Sequence, residues 1–249
     1  MVIEESVDIN GQSTTFLNEL PTLIDKANTD GMKRSLIKCI SSMKGLIPNI
    51  ENTFLPFFLD QLQISDPEKR KLKKTAAKYA AEIIKNNPLS AFSTEVMSCM
   101  PYDKKDIELS KYCFVVLNAQ IKAGNFDSFD VPQLLDMINQ CENELADYAL
   151  SVISTAITYS PTVFPEITHV CSIFPTIITK FQPKYIFEFI ESLISKGSDY
   201  PSFFLSFLDY FAGLFSTCKS IDKDYIIKSI CLIILQNHLI DVVFHEITL

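Results

Sequence analysis

The chain has 249 residues, 47% of them hydrophobic and 21% charged, which is the composition of a folded protein and excludes an intrinsically disordered one. Residues 1–125 hold 16 Lys/Arg against 15 Asp/Glu, a net of +1, whereas residues 126–249 hold 6 against 15, a net of −9, and the two sum to the formal charge of −8. This balance argues against general nucleic-acid affinity, which needs positive charge along a whole face, and favours protein partners with complementary patches.

Apolar spacing and proline positions predict six helical hairpins, each an A helix followed by a B helix. In chain order the hairpins span 14–46, 51–86, 89–123, 131–159, 163–196 and 201–236. The A helices are expected at about 14–28, 51–64, 89–100, 131–140, 163–179 and 201–217, and the B helices at about 31–46, 67–86, 104–123, 143–159, 183–196 and 222–236. A short apolar segment at 238–247 is expected to cap the last hairpin, because terminal repeats normally carry a polar outer face. Alternatively, this apolar end docks on a partner or on a second copy.

Small or apolar residues recur about every 37 to 40 positions along the predicted B helices, at Cys39, Ala76, Cys113, Ala149, Ile190 and Ile230. Two parallel columns lie four residues before them (Ser35, Leu72, Leu109, Leu145, Ile186 and Ile226) and four residues after them (Met43, Ala80, Leu117, Ile153, Ile194 and Ile234). Spacings of four are helical, and this period is typical of stacked helical hairpins. The sequence therefore predicts an all-α fold, a single α-solenoid domain over 1–249 with a right-handed superhelical stack and inward-facing columns.

Turn residues agree with these boundaries. Asp66 and Pro67 form an N-cap followed by proline at the first helical position. Glycines just past predicted B-helix ends, where a left-handed residue is favoured, are Gly45, Gly124 and Gly197. Pro175 is expected to kink the fifth A helix or split it in two, and Pro56 to lie within the first turns of the second A helix.

The segment at residues 55–84, LPFFLDQLQISDPEKRKLKKTAAKYAAEII, resembles the HEAT-repeat consensus. The consensus combines a proline and spaced leucines in the first helix, an Asp-Pro turn, an apolar–basic pair and recurring alanines. The matching positions are Pro56, Leu59, Leu62, Asp66, Leu72, Lys73 and Ala76, with a weaker second match at 132–153. The resemblance implies a HEAT/armadillo-like protein, with the subtype open, in which exposed B-helix faces line the concave side.

Five basic residues group on the face of the second B helix opposite its apolar face, and we call them the basic stripe: Arg70, Lys71, Lys74, Lys78 and Lys85. Three interpretations remain open: a solvated helix face, a docking surface for an acidic partner, or a nuclear-localisation signal suggested by KRKLKK. The same face continues in other B helices through Lys33, Arg34, Glu108, Lys111, Lys122, Glu144, Asp147 and Glu188. The predicted groove therefore runs from basic to acidic, with Glu144 and Asp147 at its acidic part, and would orient a bound ligand.

No phosphate-binding loop, dinucleotide fingerprint, nucleophile elbow or CxxC pair appears, so neither catalysis nor a cofactor is expected. His238, Asp241 and His245 lie at i, i+3 and i+7 and give the alternative of a metal-binding protein or enzyme. The leading expectation is a non-catalytic scaffold or adaptor that binds a partner along the groove. A further alternative resembles part of an importin-β-type nuclear transport receptor, with cargo or a small GTPase as partner.

Seven scattered cysteines, several of them on the apolar columns, suggest free thiols that behave as small hydrophobes. The first ten residues, MVIEESVDIN, lack the basic and apolar regions of a signal peptide, and no apolar stretch is long enough to span a bilayer. These features predict a cytoplasmic protein, or alternatively a nuclear one.

Overall fold

A computed structural model of the chain describes residues 9–43, 50–100, 106–125, 131–140, 143–160, 164–196 and 201–236. These residues form α-helices joined by short turns and contain no β-strand. The predicted all-α class is confirmed. By their internal contacts the residues divide into two compact units, Met1–Val116 and Leu117–Leu249, and the boundary falls inside a helix. The prediction of a single solenoid domain stays a prediction.

In the first unit, A helices of neighbouring hairpins pack against each other, and so do B helices. The helices are α1 (Ile9–Lys26), α2 (Asp30–Met43), α3 (Ile50–Thr53), α4 (Leu55–Leu62), a 3-10 turn (Pro67–Lys69), α5 (Arg70–Asn86), α6 (Ala91–Cys99) and α7 (Ile107–Lys122), which continues into the second unit. The B helix α5 packs against the B helix α2 and against the A helices α4 and α6, while α4 also packs against α6. Phe58 of α4 and Phe92 of α6 meet edge to face at 5.4 Å between ring centroids.

The second unit repeats this pattern of packing. Its helices are α8 (Val131–Gln140), α9 (Asn143–Tyr159), α10 (Phe164–Ile177), a 3-10 turn (Ile178–Lys180), α11 (Pro183–Ser195), α12 (Pro201–Phe215) and α13 (Ser220–Gln236). The B helix α11 lies between the B helices α9 and α13, and the A helix α10 lies between α8 and α12. The ring centroid of buried Phe174 in α10 lies 4.6 Å from that of Phe189 in α11, on which it stacks, and 5.4 Å from that of Phe207 in α12. Aromatic side chains therefore connect the A helices α10 and α12 to the B helix α11.

The predicted columns face inward in five of the six hairpins. Ala76 and Ala149 are each 0% exposed, and the other members from the second hairpin onward are buried or half-buried. The first hairpin is an exception, because Ser35 and Cys39 are exposed while α2 buries Ile37, Ile40 and Ser41. The predicted register of α2 is wrong because its isoleucines, which release more apolar surface from water than serine or cysteine, set the buried face.

The ends of several helices follow the predicted turn chemistry. Asp66 accepts a hydrogen bond from the backbone N–H of Glu68 at 2.9 Å, and Pro67 begins the 3-10 turn that leads into α5. Gly124 adopts the left-handed conformation, at φ 87°, just after α7. Gly45, Gly197 and the segment 238–247 lie outside the described residues.

Pro56 lies in the first turn of its helix, as predicted, whereas the predicted alternative in which Pro175 splits its helix is wrong. The second A helix is divided into α3 and α4 at Phe54, so that Pro56 lies at the start of α4, where a missing N–H removes no helical hydrogen bond. The chain remains helical through Pro175 and tightens into a 3-10 turn from Ile178, so the helix is not divided at the proline itself.

Candidate functional site

The basic stripe on α5 is largely accessible, but two of its members are held by Asp106, which directly precedes α7, and by Glu108 of α7. Arg70 Nε lies 2.5 Å from Asp106 Oδ2, and Lys74 Nζ donates to Glu108 Oε2. The Arg70 hydrogen bond holds the pKa of Asp106 below its ordinary value, although burial opposes this effect. The Lys74 hydrogen bond likewise lowers the pKa of Glu108. Both links join successive B helices within the first unit.

The other three members of the basic stripe lie on the exposed surface of α5. Lys71, Lys78 and Lys85 are exposed, and Lys78 lies 3.9 Å from Glu82 on the same helix. An exposed pair of this kind contributes little to stability. Because Lys71, Lys78 and Lys85 follow one another at intervals of seven residues, they occupy one line along the helix surface.

The two predicted acidic residues on α9 have different environments. Glu144 is exposed, whereas Asp147 is only 1% exposed. Asp147 Oδ1 accepts from the backbone N–H of Gln182 at 2.9 Å, and its Oδ2 accepts from Gln182 Nε2 at 2.7 Å. Gln182 is the N-cap residue of α11, so this carboxylate connects α9 to the beginning of α11.

The prediction that Asp147 lies on the accessible surface is wrong for a packing reason. Helix α9 packs against both α8 and α11, so its buried arc is wider than a single apolar face. Burial raises the pKa of Asp147 to about 6, against the lowering effect of the two hydrogen bonds from Gln182. A carboxyl group buried to this extent is not accessible to a docking partner.

A groove of about 580 Å³ lies on the B helices of the second unit, and we call it the polar groove. Helix α9 contributes Ser151, Ser154, Thr155, Thr158 and Tyr159 to its lining. Helix α11 contributes Glu188, Glu191, Ser192 and Ser195, and α7 contributes Lys122. Its volume falls within the range of ligand-binding clefts. Lys122 and Glu188 belong to the face that the sequence predicted, whereas the hydroxyl-bearing residues were not anticipated.

Most of the groove hydroxyls donate their hydrogen to a carbonyl of their own helix. On α9 these bonds run from Ser154 to Leu150, from Thr155 to Ser151 and from Thr158 to Ser154, at 2.9–3.0 Å. On α11 they run from Ser192 to Phe189 and from Ser195 to Ser192, at 2.7–2.8 Å. Because a hydroxyl has one hydrogen and two lone pairs, these groups remain available mainly as acceptors.

The groove lies where three helices end. Lys122, Tyr159 and Ser195 are the last residues of α7, α9 and α11 respectively, and all three line it. The final carbonyls of a helix lack intrahelical partners and carry partial negative charge. Exposed Tyr159, at 50% of its surface, adds an accessible aromatic ring. Hydroxyl oxygens, carboxylates and the last residues of three helices thus line one space.

The sequence already indicates the hydroxyl face of α9 through the spacing of its serines and threonines. Ser151, Ser154, Thr155 and Thr158 lie at i, i+3, i+4 and i+7, which is a polar face on one helix. A search for charged or metal-binding residues passes over such a face because it carries no charge. The face becomes a candidate site only because α11 places Glu188 and Glu191 in the same groove.

In the described part of the chain, no group of three or more His, Cys, Asp or Glu side chains is arranged to hold a metal ion. His238, Asp241 and His245 lie outside that part. None of the helices between residues 9 and 236 that the structure describes combines the length and apolar content needed to cross a bilayer. The six described cysteines are free thiols.

Comparison with protein-family models, with curated proteins and with solved structures gives no significant match. The HEAT/armadillo resemblance therefore stays a prediction.

Proposed function

We propose that this chain is a non-catalytic scaffold of the α-solenoid type that binds a protein partner along its B-helix face. The polar groove is the observation that carries the proposal, because a cleft of about 580 Å³ lies on the helix layer where such proteins would receive a partner. Within each unit, B helices pack on B helices, as in a stack of hairpins.

Links between successive B helices support the stacked arrangement. Arg70 reaches Asp106 in the first unit, 36 residues ahead, and Asp147 reaches Gln182 in the second, 35 residues ahead. A repeated contact at nearly one repeat length is expected where each hairpin packs mainly against its neighbours. The resulting B-helix surface is ordered by the stack and available for binding a partner.

The groove is tested by filling it without changing charge. Thr158→Trp places a large side chain at an exposed lining position, and Thr176→Trp is its matched control on the exposed surface of the A helix α10. Both threonines donate their hydroxyl hydrogen to their own helix, so both changes remove the same kind of bond. We expect partner recovery in quantitative affinity capture to fall roughly tenfold for Thr158→Trp, about 1.4 kcal/mol, and to be unchanged for the control.

Equal recovery for both tryptophan variants would contradict a groove-bound partner. Melting temperatures must be measured alongside, and each variant is expected to melt within a few degrees of the wild type because both sites are exposed. The exposed side chains leave room for this substitution without overpacking the core.

The basic stripe is proposed as a second contact for an acidic segment of a partner. The pair to reverse is Lys71→Glu with Lys78→Glu, since reversing Lys74 would also break its bond to Glu108. The matched control reverses exposed Lys26 and Lys219, which lie outside α5 and give the same change in net charge. Loss of partner recovery with the first pair alone supports docking, whereas unchanged recovery indicates a solvated helix face.

A further inference from the structure

We propose that the polar groove binds a cationic segment of the partner, an extended peptide whose arginine or lysine side chains enter between α9 and α11. This inference rests on the proposed scaffold function and specifies its ligand. Three observations carry it: the hydroxyls of the lining act mainly as hydrogen-bond acceptors, two carboxylates line the groove, and the last residues of three helices lie along it.

The groove hydroxyls favour a ligand that donates hydrogen bonds. The hydroxyls of Thr155, Thr158 and Ser195 already donate to helix carbonyls, so they offer lone pairs to a ligand. Ammonium and guanidinium groups are donors without acceptors and therefore match such a surface. A phosphate or carboxylate ligand would need donated hydrogens, and those of these three hydroxyls already go to helix carbonyls, so Lys122 is the one charged donor among the lining residues.

The net negative charge of the groove lining also favours a cationic ligand. Glu188 and Glu191 face the groove against the single cation Lys122, which leaves a net charge of −1 on the lining. Glu188 lies 3.7 Å from Lys184, one turn away on the same helix, and both side chains are well exposed. An exposed pair of this kind is weak, so an incoming cation can replace Lys184 as its partner.

The C-terminal ends of three helices add to the negative electrostatic potential of the groove. The C-termini of α7, α9 and α11 each contribute about half an elementary charge of negative sign, screened by solvent, in the region of the groove. At the last residue of α9, the exposed ring of Tyr159 provides a face for a guanidinium or ammonium group. Lys122 at the end of α7 makes one part of the lining positive, which would set the direction of a peptide that also carries an acidic residue.

The binding measurement uses the full chain and a fluorescein-labelled peptide of about ten residues in which arginine alternates with serine, at roughly 0.1 M ionic strength. A peptide of equal length in which glutamate alternates with serine is the opposite-charge control. Fluorescence anisotropy is expected to show saturable binding of the arginine peptide and none of the glutamate peptide. Absence of arginine-peptide binding, or equal binding of both peptides, would overturn the proposal.

Two pairs of carboxylate variants separate the groove from the general negative charge of the protein. Glu188→Gln with Glu191→Gln neutralises the groove, and Asp209→Asn with Asp224→Asn neutralises two exposed acids on α12 and α13. The groove pair is expected to weaken peptide binding roughly fivefold, and the control pair less than about twofold. An equal loss in both pairs would show that bulk charge attracts the peptide and would refute a specific groove.

The hydroxyl face is tested without any change in charge. Thr155→Val with Thr158→Val removes two acceptor oxygens while keeping the shape, and Thr176→Val removes one on α10 as the control. We expect roughly threefold weaker binding for the groove pair and no change for the control. Retention of wild-type affinity by the groove pair would contradict the assigned polarity.

Spermidine distinguishes a peptide from a free polyamine. Competition by spermidine at concentrations similar to those of the arginine peptide would overturn peptide docking, whereas much weaker competition supports it. The scaffold function fails separately, if Thr158→Trp leaves recovery of the native partner unchanged. If that variant abolishes recovery while the Glu188 and Glu191 changes do not, the scaffold stands and the cationic ligand is refuted.

Discussion

Asp147 provides a quantitative test of the packing between α9 and α11. Replacement by asparagine removes the charge and keeps the shape, so Oδ1 can still accept from the backbone N–H of Gln182. The Gln182 side-chain amide can rotate to accept from the new Nδ2 group. The variant therefore isolates the effect of ionising the carboxyl group of a residue that is 1% exposed.

The sign of the pH dependence follows from the raised pKa. Burial raises the pKa of Asp147 from 3.8 to about 6. Between these two values the folded protein keeps the proton that the unfolded chain has released, so the free energy of unfolding falls as pH rises. The full loss is reached above pH 6 and is at most about 3 kcal/mol, at about 1.4 kcal/mol per pKa unit.

Thermal unfolding of wild type and Asp147→Asn between pH 4 and pH 8 is the assay. We expect the two proteins to melt alike near pH 4, and the variant to melt several degrees higher above pH 6, since about 1 kcal/mol corresponds to roughly 2–4 °C for a chain of this size. Asp209→Asn, at an exposed position on α12, controls for the change in net charge. Asp147→Ala should destabilise the protein by about 1–3 kcal/mol near pH 4, because it leaves the Gln182 N–H without its acceptor.

A difference between wild type and Asp147→Asn that does not change with pH would refute this reasoning. Lower stability of the variant at pH 7 would also refute it, because it would show that the ionised carboxylate stabilises the fold.

Four further predictions concern the core, a helix start and the thiols. Ala76→Phe should lower the free energy of unfolding by roughly 1–3 kcal/mol, because Ala76 is fully buried in α5, whereas Ala76→Ser should cost far less; denaturant titration measures both. Asp66→Ala should cost about 1 kcal/mol by removing the acceptor for the Glu68 N–H, and Asp66→Ser should retain most of that stability in the same titration. In the native protein Cys39, which is exposed, should react quickly with a chromogenic thiol reagent, whereas Cys171, buried and with its pKa raised to about 12, should react only as fast as the protein opens. Under non-reducing denaturing conditions all seven cysteines should titrate as thiols, and stoichiometric disulfides would contradict the predicted compartment.

Local chemistry explains why the helices could be predicted from the sequence. The Asp66 cap and the left-handed Gly124 each act within a few residues, so the chain near them carries the whole signal. The alanines at 76 and 149 were predictable for a related reason. Close approach of neighbouring helices favours small side chains, and these lie on the buried side of the helical period.

Residues whose environment depends on distant parts of the chain were not predictable in the same way. Asp147 looked like a surface acid because periodicity assigns one buried face to a helix, whereas α9 is covered by both α8 and α11. Lys74 looked like a free surface cation, yet its partner Glu108 lies 34 residues ahead. Such pairings depend on how hairpins stack, and the sequence alone does not give that geometry.

The central claim, that partners bind on the B-helix side of the second unit, is tested most directly by site-specific photo-cross-linking in cells. A photoreactive amino acid is placed at Thr158 in the polar groove or at Thr176 on α10, both of which are exposed threonines on helices. We predict cross-links from position 158 to a defined partner segment rich in arginine or lysine, and none to that segment from position 176. Equal cross-linking from the two positions, or cross-linking of that segment from position 176 alone, would contradict the account.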